Sequence, residues 1–205
     1  MVAIGSVMNY FLNLILYSFS KLAVAVFGAY FKVQSMAFMP VFGLNNGMIP
    51  IISYNYGAQK PDRMKRTMKL GVMVGCSIMV FCLAIMQVFP GQILKIFDAT
   101  DEMLLMGIPA VRIMSTAFIF AGFSVTCSGM FQAVGKGVYS MIVSMARQLF
   151  VILPVAYFLS KAMNSVNGVW AAFPIAEVFS VIISTIFLLR VYKKIVKPME
   201  SVQRD

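Results

Sequence analysis

Six apolar stretches follow one another along this chain, separated by short polar breaks, and each is long enough or nearly long enough to cross a lipid bilayer. They cover approximately residues 3–19, 22–56, 66–88, 103–134, 138–159 and 166–192. A spanning helix needs about 20 mostly apolar residues. Lipid offers no partner to a free backbone N–H or C=O, so each stretch is predicted to be helical. The chain is 60% apolar and 12% charged, with mean hydropathy +0.87, and a water-soluble fold of 205 residues has too little interior to hide that surface. The predicted fold class is an all-α integral membrane protein: a six-helix transmembrane unit over 1–192, then a basic tail over 193–205. No positively charged leader precedes the first stretch, which is therefore expected to stay in the bilayer.

The second stretch is the longest. At 1.5 Å per residue, some 35 residues reach about 50 Å, beyond the roughly 30 Å hydrocarbon core, so this helix must bend, tilt or protrude. Pro40 and Pro50 are its predicted bend points. Gly57 is placed for a C-terminal cap and Pro61 for the first turn of the next helix, which makes stretches two and three a hairpin. Phe89-Pro90-Gly91, Gly135-Lys136-Gly137 and 164–168 mark the later breaks.

Charge orients the bundle. The chain carries 17 Lys and Arg against 7 Asp and Glu. Eleven of the basic residues fall on one side: Lys60, Arg63, Lys65, Arg66 and Lys69 in the hairpin loop, Lys136, and Arg190, Lys193, Lys194, Lys197 and Arg204 at the end. Three, Lys21, Lys95 and Lys161, fall on the other. The positive-inside rule then predicts a cytoplasmic hairpin loop and cytoplasmic N- and C-termini, and it accounts for the net charge of +10 without a nucleic-acid partner.

Several chemistries are excluded. There is no histidine, so neither a zinc protease nor a Ser-His dyad can be built. Cys76, Cys82 and Cys127 form no CxxC pair and read as small apolar residues. No phosphate-binding glycine loop is present, no cofactor or metal is expected, and the chain is not read as an enzyme. Charges inside a membrane are expensive and mark candidate sites. Glu177 is the one carboxylate deep in an apolar stretch; its readings are a proton, sodium or cationic-substrate site, or pairing with Lys32 or Arg147. Arg147 is expected to snorkel or meet another lobe, and Lys32 is a cavity candidate. Asn9, Asn13, Gln34, Asn45 and Asn46 are expected to face another helix or water. Gly43/Gly47 and Gly71/Gly75 have the four-residue spacing of close helix contacts. Met and Phe, 18 of each, suit a cavity for varied apolar cations, although most are expected to face lipid or neighbouring helices.

The segment 27–35, followed by 39–52 with Met39-Pro40-Val41-Phe42-Gly43-Leu44-Asn45-Asn46-Gly47, resembles the second repeat of the multidrug and toxic compound extrusion (MATE) family. The resemblance continues through Tyr54, Asn55, Tyr56, Gly57, Ala58 and Arg63, through 131–137, Arg147 with Pro154, and 168–177. It implies one six-helix lobe of a twelve-helix secondary transporter that exports drug-like organic cations against an inward flow of sodium or protons. The partners implied are the bilayer, the missing N-terminal lobe and small organic cations, and the first helix looks shortened. Family members that hold ions on carboxylates of the first and fourth helices of this lobe are not matched here, so the coupling site is unassigned. The alternatives are a non-transporting truncated protein or scaffold, or half of a lipid-linked sugar flippase of the same superfamily.

Overall fold

The computed structural model describes the backbone of residues 2–202 and the side chains of residues 4–200; Arg204 lies outside the described residues. The elements are α1 (Val2–Tyr17), α2 (Lys21–Gly57), α3 (Pro61–Val88), α4 (Pro90–Lys95), α5 (Asp101–Ser115), α6 (Phe118–Ala133), α7 (Gly137–Met145), α8 (Leu153–Met163), α9 (Asn167–Val191) and α10 (Lys197–Val202). Wide, π-helical segments, Ala146–Ile152 and Tyr192–Val196, join α7 to α8 and α9 to α10 without a break. Among the described residues no strand occurs. Four continuous helices are long and apolar enough to cross a membrane: Lys21–Gly57, Pro61–Val88, Gly137–Met163 and Asn167–Glu200. The bent pair α5–α6 makes a fifth span when counted as one, and Ile4–Tyr17 is apolar but shorter.

The stretch read as one helix over 103–134 is in fact two, meeting at 50°. Hydroxyl back-bonding explains the bend. Ser115 Oγ donates to the Arg112 carbonyl (3.2 Å) and Thr116 Oγ1 to the Ile113 carbonyl (2.7 Å), while Gln87 Nε2 of α3 also donates to the Arg112 carbonyl at 2.9 Å. The N–H groups of Thr116 and Ala117 consequently bond three residues back, which tightens the turn and redirects the chain. Lipid-scale runs of apolar residues conceal such a break.

Both wide segments end two residues or fewer before a proline, Pro154 and Pro198. A proline ring collides with the carbonyl four residues earlier and gives it no N–H, and a wider turn relieves the clash. Pro40 and Pro50, expected as bend points, lie inside one continuous 37-residue α2.

The expected role of Gly57 is also corrected. Gly57 is helical, and the left-handed residue closing α2 is Gln59 (φ 51°). Lys60 N–H reaches the Asn55 carbonyl (2.9 Å) and Gln59 N–H the Tyr56 carbonyl (3.2 Å), the paired bonds of a Schellman cap. The same pattern closes α4 at Asp98, α6 at Gly135 and α8 at Asn164, so among the described residues one of four left-handed caps uses glycine.

Two apolar clusters lie toward opposite ends of the bundle. One joins the end of α1 and the start of α2 to α5 and the start of α9, with Leu12, Leu16, Val26, Tyr30 and Trp170 buried. The other joins the end of α2 and start of α3 to the ends of α6 and α9, with Ile52, Met64, Phe131 and Val196 buried. Between them, glycines bring α3 and α6 together: a Cβ on Gly122 would sit 2.9 Å from the Cys76 Cα and from the Gly75 carbonyl oxygen.

Candidate functional site

Two adjoining cavities, of about 370 and 360 Å³, are walled by α2, α9 and the Ala146–Ile152 segment, with Gly5 and Met8 of α1 closing the first and α6 and α7 closing the second. Phe38, Phe42, Arg147 and Gln148 belong to both. The first has an aromatic and thioether wall (Phe31, Phe38, Met39, Phe42, Phe173) with Gln34, Ser35, Arg147 and Glu177. The second is more polar, with Asn45, Asn46, Ser124, Ser128, Gln132, Ser144 and Ser180.

Arg147 and Glu177 form the centre. Arg147 Nη1 donates to Glu177 Oε1 at 2.6 Å, with side-chain exposures of 21% and 8%. Each charge answers the other's desolvation, which neither could bear alone in this setting. Pro174, one turn before Glu177, cannot donate to the Trp170 carbonyl, and aromatic packing compensates by holding α9 against α2. Phe27 stacks on Trp170 (centroids 6.4 Å), and Tyr30 meets Phe173 edge-on (6.3 Å). Glu177 is thus set on a braced helix, whereas Arg147 stands on the wide segment ahead of Pro154.

Polar capacity is left over here. Glu177 Oε2, Arg147 Nε, Asn45 Oδ1 and Ser180 Oγ, all on cavity-lining residues, are buried without a protein hydrogen-bond partner; Tyr30 Oη and Ser184 Oγ are likewise unpartnered but line neither cavity. Unmet buried polar atoms each cost about 1–3 kcal/mol, so the site favours any ligand or solvent that can satisfy them. Ser180 and Ser184 follow Glu177 by three and seven residues, which sets a column of polar atoms along one face of α9.

The candidate residues divide. Glu177, Gln34, Asn45 and Asn46 line the cavities. Asn45 is buried and donates through Nδ2 to the Val125 carbonyl (2.9 Å), while Asn46 is exposed to the second cavity. Asn9 and Asn13, on α1, line neither cavity, although Asn9 Oδ1 is buried and unpartnered. Lys32 also lies outside both; its ammonium stands 6.0 Å from the Phe97 ring centroid. The hairpin residues Tyr54 to Ala58 and Arg63 shape the end of the bundle. Tyr54 is exposed, and Asn55 Nδ2 donates to its own helix at the Ile51 carbonyl (2.8 Å). Arg147 does not snorkel; it is drawn inward to Glu177. Its mid-helix position and the proline seven residues on were the available signals, whereas nothing local marked Gln148 or Ser180 as wall residues.

A bundle of apolar helices around a polar, ion-paired site defines a multi-pass membrane protein. The chain belongs to the MatE family, whose sequence model matches residues 1–158, a family of transporters and not of enzymes. It is 26% identical over 171 residues to the multidrug export protein MepA of Staphylococcus haemolyticus (strain JCSC1435), a match covering 83% of this chain and 37% of that protein. It superposes on an outward-facing conformation of a multidrug resistance MATE family transporter with TM-score 0.86 at 19% identity, over 96% of this chain and 44% of that one. An inward-facing conformation of a transporter so described gives TM-score 0.86 at 19% identity, over 96% and 45%. The chain therefore covers 37–45% of the length of these relatives.

Proposed function

We propose that this chain is the second lobe of a two-lobed MATE exporter of the plasma membrane that moves drug-like organic cations out against inward sodium or proton flow. The lobe comprises residues 1–192, with α1 and the bent α5–α6 pair completing six spans, and 193–205 form a cytoplasmic extension. Both termini are cytoplasmic, as the eleven-to-three bias of Lys and Arg supports. The observation that carries the proposal is the partly open cavity pair with Arg147–Glu177 at its centre. Its aromatic and methionine walls fit the apolar body of an organic cation.

Arg147 acts as a built-in counter-ion to Glu177. A substrate or coupling cation reaching the free Oε2 competes with Arg147 for the carboxylate, so loading is coupled to release of the arginine. Equal superposition on outward- and inward-facing relatives supports a lobe that moves as one body against its counterpart. In the complete protein, Glu177→Gln should lower efflux of a fluorescent cation roughly tenfold, about 1.4 kcal/mol, with insertion intact. Unchanged efflux and pH dependence would reduce Glu177 to a packing role. Residues 1–205 alone, in cells lacking their own exporters, should leave accumulation at the vector level, and ion-dependent efflux there would replace the one-lobe reading with a working homodimer. A cysteine at Lys65 should react with an impermeant thiol reagent only after the membrane is opened.

A further inference from the structure

At the end of the bundle holding the α2–α3 hairpin, Lys65 Nζ contacts Asp62 at 2.9 Å and Glu200, beyond α9, at 2.7 Å. The second contact clamps the start of α3 to the continuation of α9, whose inner side is buried at Val191, Val196 and Met199. The two helices run antiparallel here, since α3 enters the bundle from this end and α9 leaves through it. Helical spacing then places Lys69 about one turn inward of Lys65, and Lys197 about one turn inward of Glu200, both steps being some 5–6 Å. The clamp accordingly sets two exposed ammonium groups at one level on facing helices, with Arg66, Lys193 and Lys194 also exposed nearby in sequence. Asp62 and Glu200 are consumed by Lys65 and lie on the outer side; no ion pair engages Lys69, Lys197, Arg66, Lys193 or Lys194 among the described residues. Like charges held together by a neighbouring clamp are unfavourable until an anion bridges them.

We propose that Lys69 and Lys197 form a binding site for the phosphate headgroup of an anionic phospholipid, which bridges α3 to the α9 extension. The apolar helix surface inward of the two lysines supplies the acyl-chain contact that a free phosphate cannot use: Leu70 and Met73 on α3 are 48% and 52% exposed, and Leu189 on α9 is 54% exposed. Basic clusters just outside a spanning helix favour anionic headgroups. The inference rests on the proposed placement of this end at the membrane surface but needs no transport activity, so it stands or falls separately from the export reading.

The test uses the 205-residue chain in detergent micelles doped with phosphatidylglycerol or phosphatidylcholine, following thermal unfolding. Phosphatidylglycerol should raise Tm by about 5 °C over phosphatidylcholine. K69Q/K197Q should lose at least half of that rise while unfolding normally in phosphatidylcholine, and native mass spectrometry should show one fewer retained phosphatidylglycerol. K21Q/K161Q, at the opposite end, should keep the full rise. No rise in the parent chain, an equal rise in K69Q/K197Q, or an equal loss in K21Q/K161Q would overturn the site. A full rise with inorganic phosphate alone would overturn the lipid as its occupant.

Discussion

Two pairs of glycines with the same four-residue spacing sit on neighbouring helices of one hairpin, and their surroundings are opposite. Around Gly71 and Gly75 on α3 there is no room: an added Cβ at Gly71 runs into the Met48 sulfur, and one at Gly75 lies 2.5 Å from Thr126 Oγ1. Gly122 completes that contact from α6, backbone to backbone. Around Gly43 and Gly47 on α2 an added Cβ meets nothing within 4 Å. The spacing that permits close approach is therefore a licence and not a contact. The open pair lies on a stripe of α2 that includes exposed Met36, Met39, Asn46 and Tyr54, a mixture of small, polar and thioether groups.

The largest effect should come from Gly122→Ala, whose methyl would press on the α3 backbone. We expect a loss of about 3 kcal/mol, read from unfolding in mixed micelles, since two backbones must separate to admit it. Gly75→Ala should cost about 1–2 kcal/mol, because the Thr126 side chain can move only by giving up its 2.7 Å bond to the Gly122 carbonyl. Gly43→Ala and Gly47→Ala should reverse the sign. With space available, alanine stabilises a helix interior by about 0.5–1 kcal/mol relative to glycine, so a rise in Tm for each is the expected result. A fall in Tm at Gly43 would mean that α2 is packed there, and the contrast would fail. The smallest change concerns the turn after α2: Gln59→Gly should stabilise by about 0.5 kcal/mol by relieving the left-handed backbone.

Periodicity and charge revealed much of the outline because they report local physics. Helix content, the hairpin opened by Pro61 and the separation of Lys and Arg by side follow from residues acting within a few positions of themselves. The 50° bend after Ser115 was not visible, since it depends on Gln87 of α3 arriving at the Arg112 carbonyl. The left-handed cap was misplaced at Gly57 because glycine permits that backbone without requiring it, and the hydrogen bonds chose Gln59. The site was half legible. Glu177 announced itself as a deep carboxylate, whereas its partner was left open between Lys32 and Arg147, which lie on different helices.

By itself, then, the sequence determined that this chain must be a helical membrane protein, because lipid tolerates no unpaired backbone and water tolerates no surface this apolar. It also determined which segments bear charge at each end. Only the tertiary structure decided that Glu177 meets Arg147 at 2.6 Å while Lys32 turns toward Phe97, and that one glycine pair is packed and the other open. Those outcomes depend on which helix faces stand opposite one another, and spacing along a single helix carries no information about its neighbour.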